Sequence, residues 1–368
     1  MSAPDIQPED IRLVQQVLES KILSIGPFVD AFEREFAAYI GTREAVAVAN
    51  GTAGLHLCVH AAGIGDGDEV ITTPFSFVAS SNCILYERAV PVFVDIDEAS
   101  MNIDPALARA AVGARTRAVL PVHVFGHPCE MDQLTALCDE RGLVLIEDAC
   151  EAVGAEYRGR KVGSFGKAAA FAFYANKQMT MGEGGVITTD DPDLAALLRS
   201  LRNQGRQETG TWLFHDRLGY NYRLGELNAA LGLSQLRRID ALLGSRAAAA
   251  ARYIELMSQI DGVTFLGAVP SIIKLSWFVF VVRFGAGIDR NRVIEALTER
   301  QVPSRTYFSP IHLQPFYVKR FGFSAGDFPI AERVAGSTLA LPFHSNITDQ
   351  DMAYVAESLQ WAIDRSRV

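Results

Sequence analysis

Lys177 is the residue of this sequence most open to chemistry. It lies in FAFYANKQMTMGEGG (171–185), between an apolar, aromatic run and a cluster of glycines. The chain has six lysines (Lys21, Lys161, Lys167, Lys177, Lys274 and Lys319), and Lys177 alone follows a strongly apolar run with glycines close behind. A partly desolvated amine gives up its proton more readily and can attack a carbonyl carbon. Nearby glycines let a flat molecule come close to the backbone. The structural alternative is a lysine left in solvent on a loop. Lys161, in RGRKVG, reads that way, as part of an exposed turn.

Three other features supply what such an amine would need. Asp148 ends LVLIED (143–148), where a carboxylate could keep a ring nitrogen protonated; the alternatives are a helix cap or a salt bridge. Glu147 alternates to the other face and is the weaker choice. ANGTAGLH (49–56) places Asn50-Gly51-Thr52 between a strand and a helix, where backbone N–H groups hold anions, or where a helix is simply capped. TPFSFVAS (73–80) offers Phe75 or Phe77 as a ring cover, with core packing expected of one of them. Amine, acid, anion cradle and ring cover are together the parts of a pyridoxal phosphate site.

The elements that must position them follow from the pattern of short apolar runs. AVAVAN (45–50), EVITTP (69–74), PVFVDID (91–97), AVLPVHVFG (118–126), LVLIED and AAFAFY (169–174) read as buried strands, with GGVITTDD (184–191) turning back as a hairpin strand. Amphipathic stretches alternate with the earlier ones, which predicts a mainly parallel sheet covered on both faces. Ligands of such sheets gather at the carboxyl ends of the strands. From about residue 225 a long Ala- and Leu-rich helical stretch begins; WFVFVVRF (277–284), DRNRVIEALTER and a final helix from about Thr348 follow it. The expected organisation is a large domain over 1–240 and a smaller α+β domain over 241–368.

Composition narrows the function further. The 368 residues are 49% hydrophobic and carry a formal charge of −9, from 43 acidic and 34 basic residues. There is no long basic run, which argues against a nucleic-acid partner. No apolar stretch is long and clean enough to span a bilayer, and MSAPDIQPED does not read as a secretory signal. The five cysteines have no paired spacing, so they are expected to be reduced core residues of a cytoplasmic protein, with no metal site. His123 and His127, in PVHVFGHP, read as structural or as supports behind the site residues.

From about residue 25 to 348 the sequence resembles the DegT/DnrJ/StrS family of fold-type-I, PLP-dependent sugar-nucleotide aminotransferases. The resemblance rests on NGTAGLHL, GDGDEVITTPFSFVASSN, AVPVFVDID, PVHVFGHP, IEDACEAVGAEYRGRKVGSFG, NKQMTMGEGG, LRNQGR and LGYNYRLGELNAALGLSQL. It implies an α/β fold with a large, mainly parallel seven-stranded sheet and a smaller C-terminal α+β domain. Lys177 would be the Schiff-base lysine and catalytic base, and Asp148 would pair with the pyridinium nitrogen. Gly51, Thr52 and Ala53 would hold the phosphate, and Phe77 would stack on the ring. Asn221 and Arg223, in LGYNYRL, would reach across a homodimer to the partner's site. Arg305, Tyr307 and His312 would line the sugar pocket.

Two positions depart from the usual family pattern. Ala172 stands where many relatives carry a phosphate-binding Ser, and Glu151 where many carry Gln or His beside the cofactor oxygen. Glu151 is similar to the perosamine-synthase-like branch, which implies amination of a nucleotide-linked 4-keto-6-deoxy sugar with glutamate or glutamine as donor. Arg223, Arg305 and SIGPF (24–28) are candidates for holding the diphosphate. Trp212 and His215 are candidates for a dimer-contact or substrate loop. The rival readings are an aminotransferase for a keto-cyclitol or other non-nucleotide ketone, and a non-catalytic PLP-binding regulatory protein.

Overall fold

A computed structural model describes residues 1–207, 213–267 and 272–367. Trp212 lies outside the described residues. The chain opens with helices α1 (Pro8–Ser20) and α2 (Pro27–Ile40). Five strands follow: β1 (Glu44–Val48), β2 (Glu69–Thr72), β3 (Val90–Phe93), β4 (Thr116–Val119) and β5 (Val144–Asp148). Helix α3 (Gly51–Ala61) joins β1 to β2, and α4 (Ala79–Tyr86) joins β2 to β3. After the short strands β6 (Glu156–Tyr157) and β7 (Arg160–Lys161) come β8 (Ala168–Ala172) and β9 (Gly185–Thr189).

Seven of these strands form one sheet in the order β1-β9-β8-β5-β4-β2-β3. Only β9 runs against the rest, pairing antiparallel with both β1 and β8. The expected α/β architecture, with a mainly parallel seven-stranded sheet and a returning hairpin strand, is the one observed. The carboxyl ends of β1, β2, β4, β5 and β8 therefore open on one edge.

Strand β8 shows how the sheet is covered. Its residues are almost all buried, so hydrophobicity alone does not mark its two faces. Ala168 and Ala170 pack in one apolar cluster with α3, while Ala169 and Phe171 pack in another with α2. On the α2 side, Phe36 meets Phe171 and Phe173 edge-on at 5.1 and 5.6 Å between centroids. Such pairs add about 0.5–1.5 kcal/mol each beyond the area they bury. On the α3 side the residues are small because the helix lies close. A Cβ added to Gly54 would sit 3.3 Å from the Ala170 Cβ.

The remaining chain forms two smaller sheets. Strands β10 (Val263–Phe265), β12 (Phe280–Phe284) and β13 (Thr338–Leu341) pair antiparallel. Helices Ile239–Met257, Arg290–Glu299 and Asp349–Ser366 share one apolar cluster with this sheet. Strand β11 (Ile273–Lys274) joins β6 and β7. Lys161, expected in an exposed turn, thus lies in a short strand with Nζ 4.4 Å from the Tyr39 ring centre.

Two expected elements differ from those observed. The long helical stretch breaks into Glu226–Arg237 and Ile239–Met257, because Arg238 leaves the helical region at φ −119°. Its guanidinium turns to Asp10 Oδ2, 2.9 Å away. The run expected as a strand over 118–126 ends at Val119, ahead of Pro121, which has no N–H for a ladder. It closes in a tight turn over Val124–Gly126, with Phe125 and Gly126 both at positive φ. Ser276 N donates to Gly126 O at 3.0 Å, and a Cβ on Gly126 would lie 1.7 Å from Ser276 O. Gly126→Ala is therefore expected to destabilise the protein by about 3 kcal/mol or more, read as a shift in the urea midpoint.

Candidate functional site

A cavity of about 670 Å³ opens at the carboxyl edge of the large sheet. Its wall is made from strand ends: Gly51 and Thr52 after β1, Phe77 after β2, Asp148 and Glu151 at the end of β5, and Lys177 after β8. Ala53, Ala172 and Tyr307 also line it.

Lys177 is 12% exposed, and its Nζ lies 3.6 Å from Glu151 Oε1. The same nitrogen sits 3.9 Å from the centre of the Phe278 ring, a cation–π contact. Burial pushes the Glu151 carboxyl above its ordinary value, and the nearby Lys177 charge pulls against that. Phe125 N donates to Glu151 Oε2 at 3.0 Å, so the positive-φ turn at 124–126 also fixes this carboxylate.

Asp148 is 4% exposed. Ser80 Oγ donates to its Oδ2 at 2.7 Å, and Cys150 N donates to Oδ1 at 3.1 Å. These bonds orient the carboxylate against the cavity. Glu147 goes the other way and is fully buried. It accepts the N–H groups of Gly163, Phe165 and Gly166 at 2.7–2.8 Å and pairs with His123 Nε2 at 3.2 Å. One strand thus carries a carboxylate for the site and one for a loop, separated by the strand's alternation.

The first turn of α3 lies where the anion cradle is expected. Asn50 Oδ1 caps the helix by accepting Ala53 N at 2.9 Å. Gly51 and Thr52 lie in the first turn, where N–H groups have no carbonyl partner within the helix. A Cβ on Gly51 would lie 2.6 Å from the Ala172 Cβ and 2.9 Å from Cys150 Sγ. Glycine here, with alanine at 172, lets the start of α3 lie close against the end of β8.

The two phenylalanines separate. Phe75 is fully buried and meets Phe125 and Phe308 edge-on. Phe77 is 61% exposed and lines the cavity. Tyr307 also reaches the wall, and burial raises its phenol above the ordinary value. Two residues expected in the sugar pocket lie outside the lining of this cavity. His312 is fully buried away from the cavity, with Nε2 bonded to Glu332 Oε1 at 3.0 Å and its ring 4.7 Å from Phe328. Arg305 is exposed and bonds the Ser304 carbonyl, outside the lining. At the SIGPF segment, N–H groups at the start of α2 already have a partner. The Glu226 carboxylate accepts the N–H groups of Gly26, Phe28 and Val29 at 2.9–3.1 Å.

Asn221 is exposed beside Arg223, whose Nη1 donates to two neutral amide oxygens, Asn203 Oδ1 and Gln204 Oε1, at 2.9 and 2.8 Å. His215 is exposed, and its Nδ1 pairs with Gln204 O at 2.8 Å. His123 and His127 are buried in hydrogen bonds, as a structural role requires. The five cysteines are free.

Sequence reasoning missed Phe278, Asn176 and Arg246. Phe278 lies in the apolar run WFVFVVRF, but β12 begins at Phe280 and leaves Phe278 to face Lys177. Asn176 lines the cavity with a buried Oδ1 that has no partner. Arg246 donates to the carbonyls of Lys177, Trp277 and Phe278 at 3.2–3.3 Å, and burial lowers its pKa to about 10. Only Asn176, one residue before the lysine, carried any signal in the sequence.

The donor set fits pyridoxal phosphate. It offers an amine for the aldehyde, a buried carboxylate for the ring nitrogen, an open helix N-terminus for the phosphate and an unpaired amide oxygen in the wall.

Comparison with known proteins agrees. The model of the DegT/DnrJ/EryC1/StrS aminotransferase family matches residues 4–360. The spore coat polysaccharide biosynthesis protein SpsC of Bacillus subtilis (strain 168) is 41% identical, over 98% of this chain and 95% of its own. GDP-perosamine synthase of Caulobacter vibrioides is 38% identical, over 98% and 96%. Among solved structures, S. venezuelae DesV in complex with a ketimine intermediate superposes with a TM-score of 0.91 at 36% identity, over 96% of this chain and 94% of that one.

Gly51→Ala is expected to raise the dissociation constant for pyridoxal phosphate at least about tenfold, since the new Cβ would collide with Ala172 and Cys150 and push the start of α3 out of place. Adding Ala172→Gly should restore part of the loss; absorbance titration of the two variants reads it.

Proposed function

This chain belongs to the DegT/DnrJ/EryC1/StrS aminotransferase family, and we propose that it moves an amino group from glutamate or glutamine to a nucleotide-linked 4-keto-6-deoxy sugar. Pyridoxal phosphate is its cofactor and sugar amination its reaction class. One observation above the others supports this reading: Lys177 and Asp148, carried by the adjacent strands β8 and β5, line one cavity with the first turn of α3. Similarity to GDP-perosamine synthase, together with Glu151 beside Lys177, supports the choice of sugar.

Bound in the cavity, pyridoxal phosphate supplies an electrophilic aldehyde and a ring that draws electrons from the reacting carbon. Lys177 Nζ would hold the cofactor and, once displaced by the donor's amine, would take the proton from the donor's α-carbon and deliver it to the cofactor's aldehyde carbon. In the second half it would move a proton the other way, from that cofactor carbon to the sugar carbon that receives the amine. General base catalysis of this kind contributes roughly 10²–10⁴-fold. Asp148 holds the proton on the ring nitrogen, with Ser80 and Cys150 N keeping the carboxylate in place. Gly51 and Thr52 receive the phosphate, helped by the helix dipole. Phe77 covers the ring, and Tyr307 stands where a sugar would enter. Glu151 and Phe278 give the Lys177 ammonium a resting place between proton transfers.

The protein acts as a homodimer in the cytoplasm in this reading. Asn221 and Arg223 reach the partner's cofactor phosphate, and exposed Leu213, Phe214 and Leu218 close by would be covered in the dimer. Among the described residues, no helix is long and apolar enough to cross a membrane.

The test is a panel of keto-sugar nucleotides set against keto-cyclitols and simple keto acids, read by mass spectrometry with glutamate and glutamine as donors. Amination of the nucleotide-linked sugars alone is expected; turnover confined to free ketones would refute the proposal. Borohydride should bleach the cofactor's visible band and label Lys177. Lys177→Ala should lose turnover by roughly 10³-fold or more, and Asp148→Asn by roughly 10²-fold with the fold intact.

A further inference from the structure

A second cluster of titratable side chains has no part in the chemistry assigned above. His56 sits in the middle of α3, Glu87 follows the end of α4, and Tyr222 lies in LGYNYRL. His56 Nε2 is 2.7 Å from Glu87 Oε1, and His56 Nδ1 is 3.1 Å from Tyr222 Oη. His60 Nδ1 lies 3.1 Å from Glu87 Oε2, close enough for charge attraction but without hydrogen-bond geometry. The His56 ring is buried and meets Tyr86 and Tyr220 edge-on at 5.2 and 4.8 Å. Tyr220 and Tyr222 stack at 5.1 Å.

The chemistry gives this chain of bonds a direction. An ionised carboxylate only accepts hydrogen bonds, so His56 must carry its proton on Nε2 to meet Glu87. Burial holds the imidazole below its ordinary pKa, which keeps the ring neutral. Burial pushes the Glu87 carboxyl up, but the nearby His60 and the hydrogen bond from His56 more than offset that and keep it ionised. Neutral His56 then has a lone pair on Nδ1, which accepts the Tyr222 hydroxyl. The tautomer is assigned from these partners.

The far end of the chain is at the cavity. Tyr222 and Tyr86 both line it. The Tyr222 carbonyl accepts Ala49 N at 2.8 Å, one residue before the Asn50 cap of α3. Residue 222 is thus tied to the start of α3 through its backbone and to the middle of α3 through its side chain. Asn221 and Arg223 flank it.

We propose that Glu87 is a positioning residue of the cofactor site: by fixing the His56 tautomer it anchors Tyr222, and with it the Asn221–Arg223 segment, to the helix whose first turn holds the phosphate. This rests on reading Arg223 as phosphate-facing. Glu87 touches no reacting atom; it acts through His56.

The experiment is a double-mutant cycle on the pyridoxal phosphate dissociation constant of the full-length protein, using Glu87→Ala, Tyr222→Phe and the double variant. Arg223→Ala serves as reference, and ¹⁵N-imidazole NMR of the cofactor-free protein reads the tautomer. Each single variant should weaken binding about tenfold, the scale of one charge-assisted hydrogen bond, and the double variant no more than either single. His56 should show the Nε2–H tautomer in the wild-type protein and in Tyr222→Phe, and lose that preference in Glu87→Ala. Additive losses of roughly a hundredfold, or an Nδ1–H tautomer in the wild type, overturn the proposal. Weakened binding in Arg223→Ala with wild-type binding in Glu87→Ala overturns the positioning role alone. Wild-type binding in Arg223→Ala overturns the phosphate-facing reading and this inference with it. Tyr222→Phe keeps the ring and its packing, so it and the tautomer decide the matter even if Glu87→Ala folds poorly.

Discussion

A lysine ammonium taken most of the way out of water must be held by something, and the rest of this site is arranged around how Lys177 is held. Glu151 supplies the opposite charge and Phe278 the electron-rich face. Neither contact is a short hydrogen bond, so the amine is stabilised without being locked. A buried pair at 2.8 Å would hold the proton firmly and leave the nitrogen a poor nucleophile. At 3.6 Å, with an aromatic face on another side, the amine is kept in the cavity and remains free to react. The requirement propagates outward. Glu151 is fixed by the turn at 124–126, that turn by the Ser276 backbone, and the Lys177 and Phe278 carbonyls by the buried Arg246.

The second constraint is distance between backbones. A phosphate cradle at the start of α3 is useful only if that turn lies close to the strand ends that carry the carboxylate and the amine. Close approach requires small residues on both surfaces, and they occur in matched pairs. Gly51 faces Ala172, and Gly54 faces Ala170. The alanine run in β8 is the sheet's half of this contact. Its other face carries the large Phe171, because α2 meets the sheet there through Phe32 and Phe36. Large and small residues on one strand thus set the two helices at different depths.

Much of this was legible in the sequence because it depends on local order. Strand–helix alternation located six of the seven large-sheet strands to within a few residues, and apolar runs ending in polar residues pointed to the carboxyl edge. The strand over 118–126 stops early ahead of Pro121, a local signal, while the positive-φ turn that follows is decided by what approaches it, here Ser276. The single long helix divided at Arg238 because Asp10, far away in sequence, offered that arginine a partner. Among the site residues, Lys177, Asp148, Gly51, Thr52, Phe77 and Tyr307 do line the cavity. His312 does not, since Glu332 and an aromatic cluster claim it.

The sequence by itself determined the strand order of chemistry: which residue types stand at which strand ends, and hence that an amine, a carboxylate and a helix N-terminus would share one edge. Period-two alternation also determined that Asp148 and Glu147 would part. Only the tertiary structure decided which of two phenylalanines faces the cavity, which arginine clamps the lysine's backbone, and that Glu87, His56 and Tyr222 meet. Those choices join segments separated by tens to hundreds of residues. No local pattern encodes such meetings, because they arise from how whole helices and strands pack.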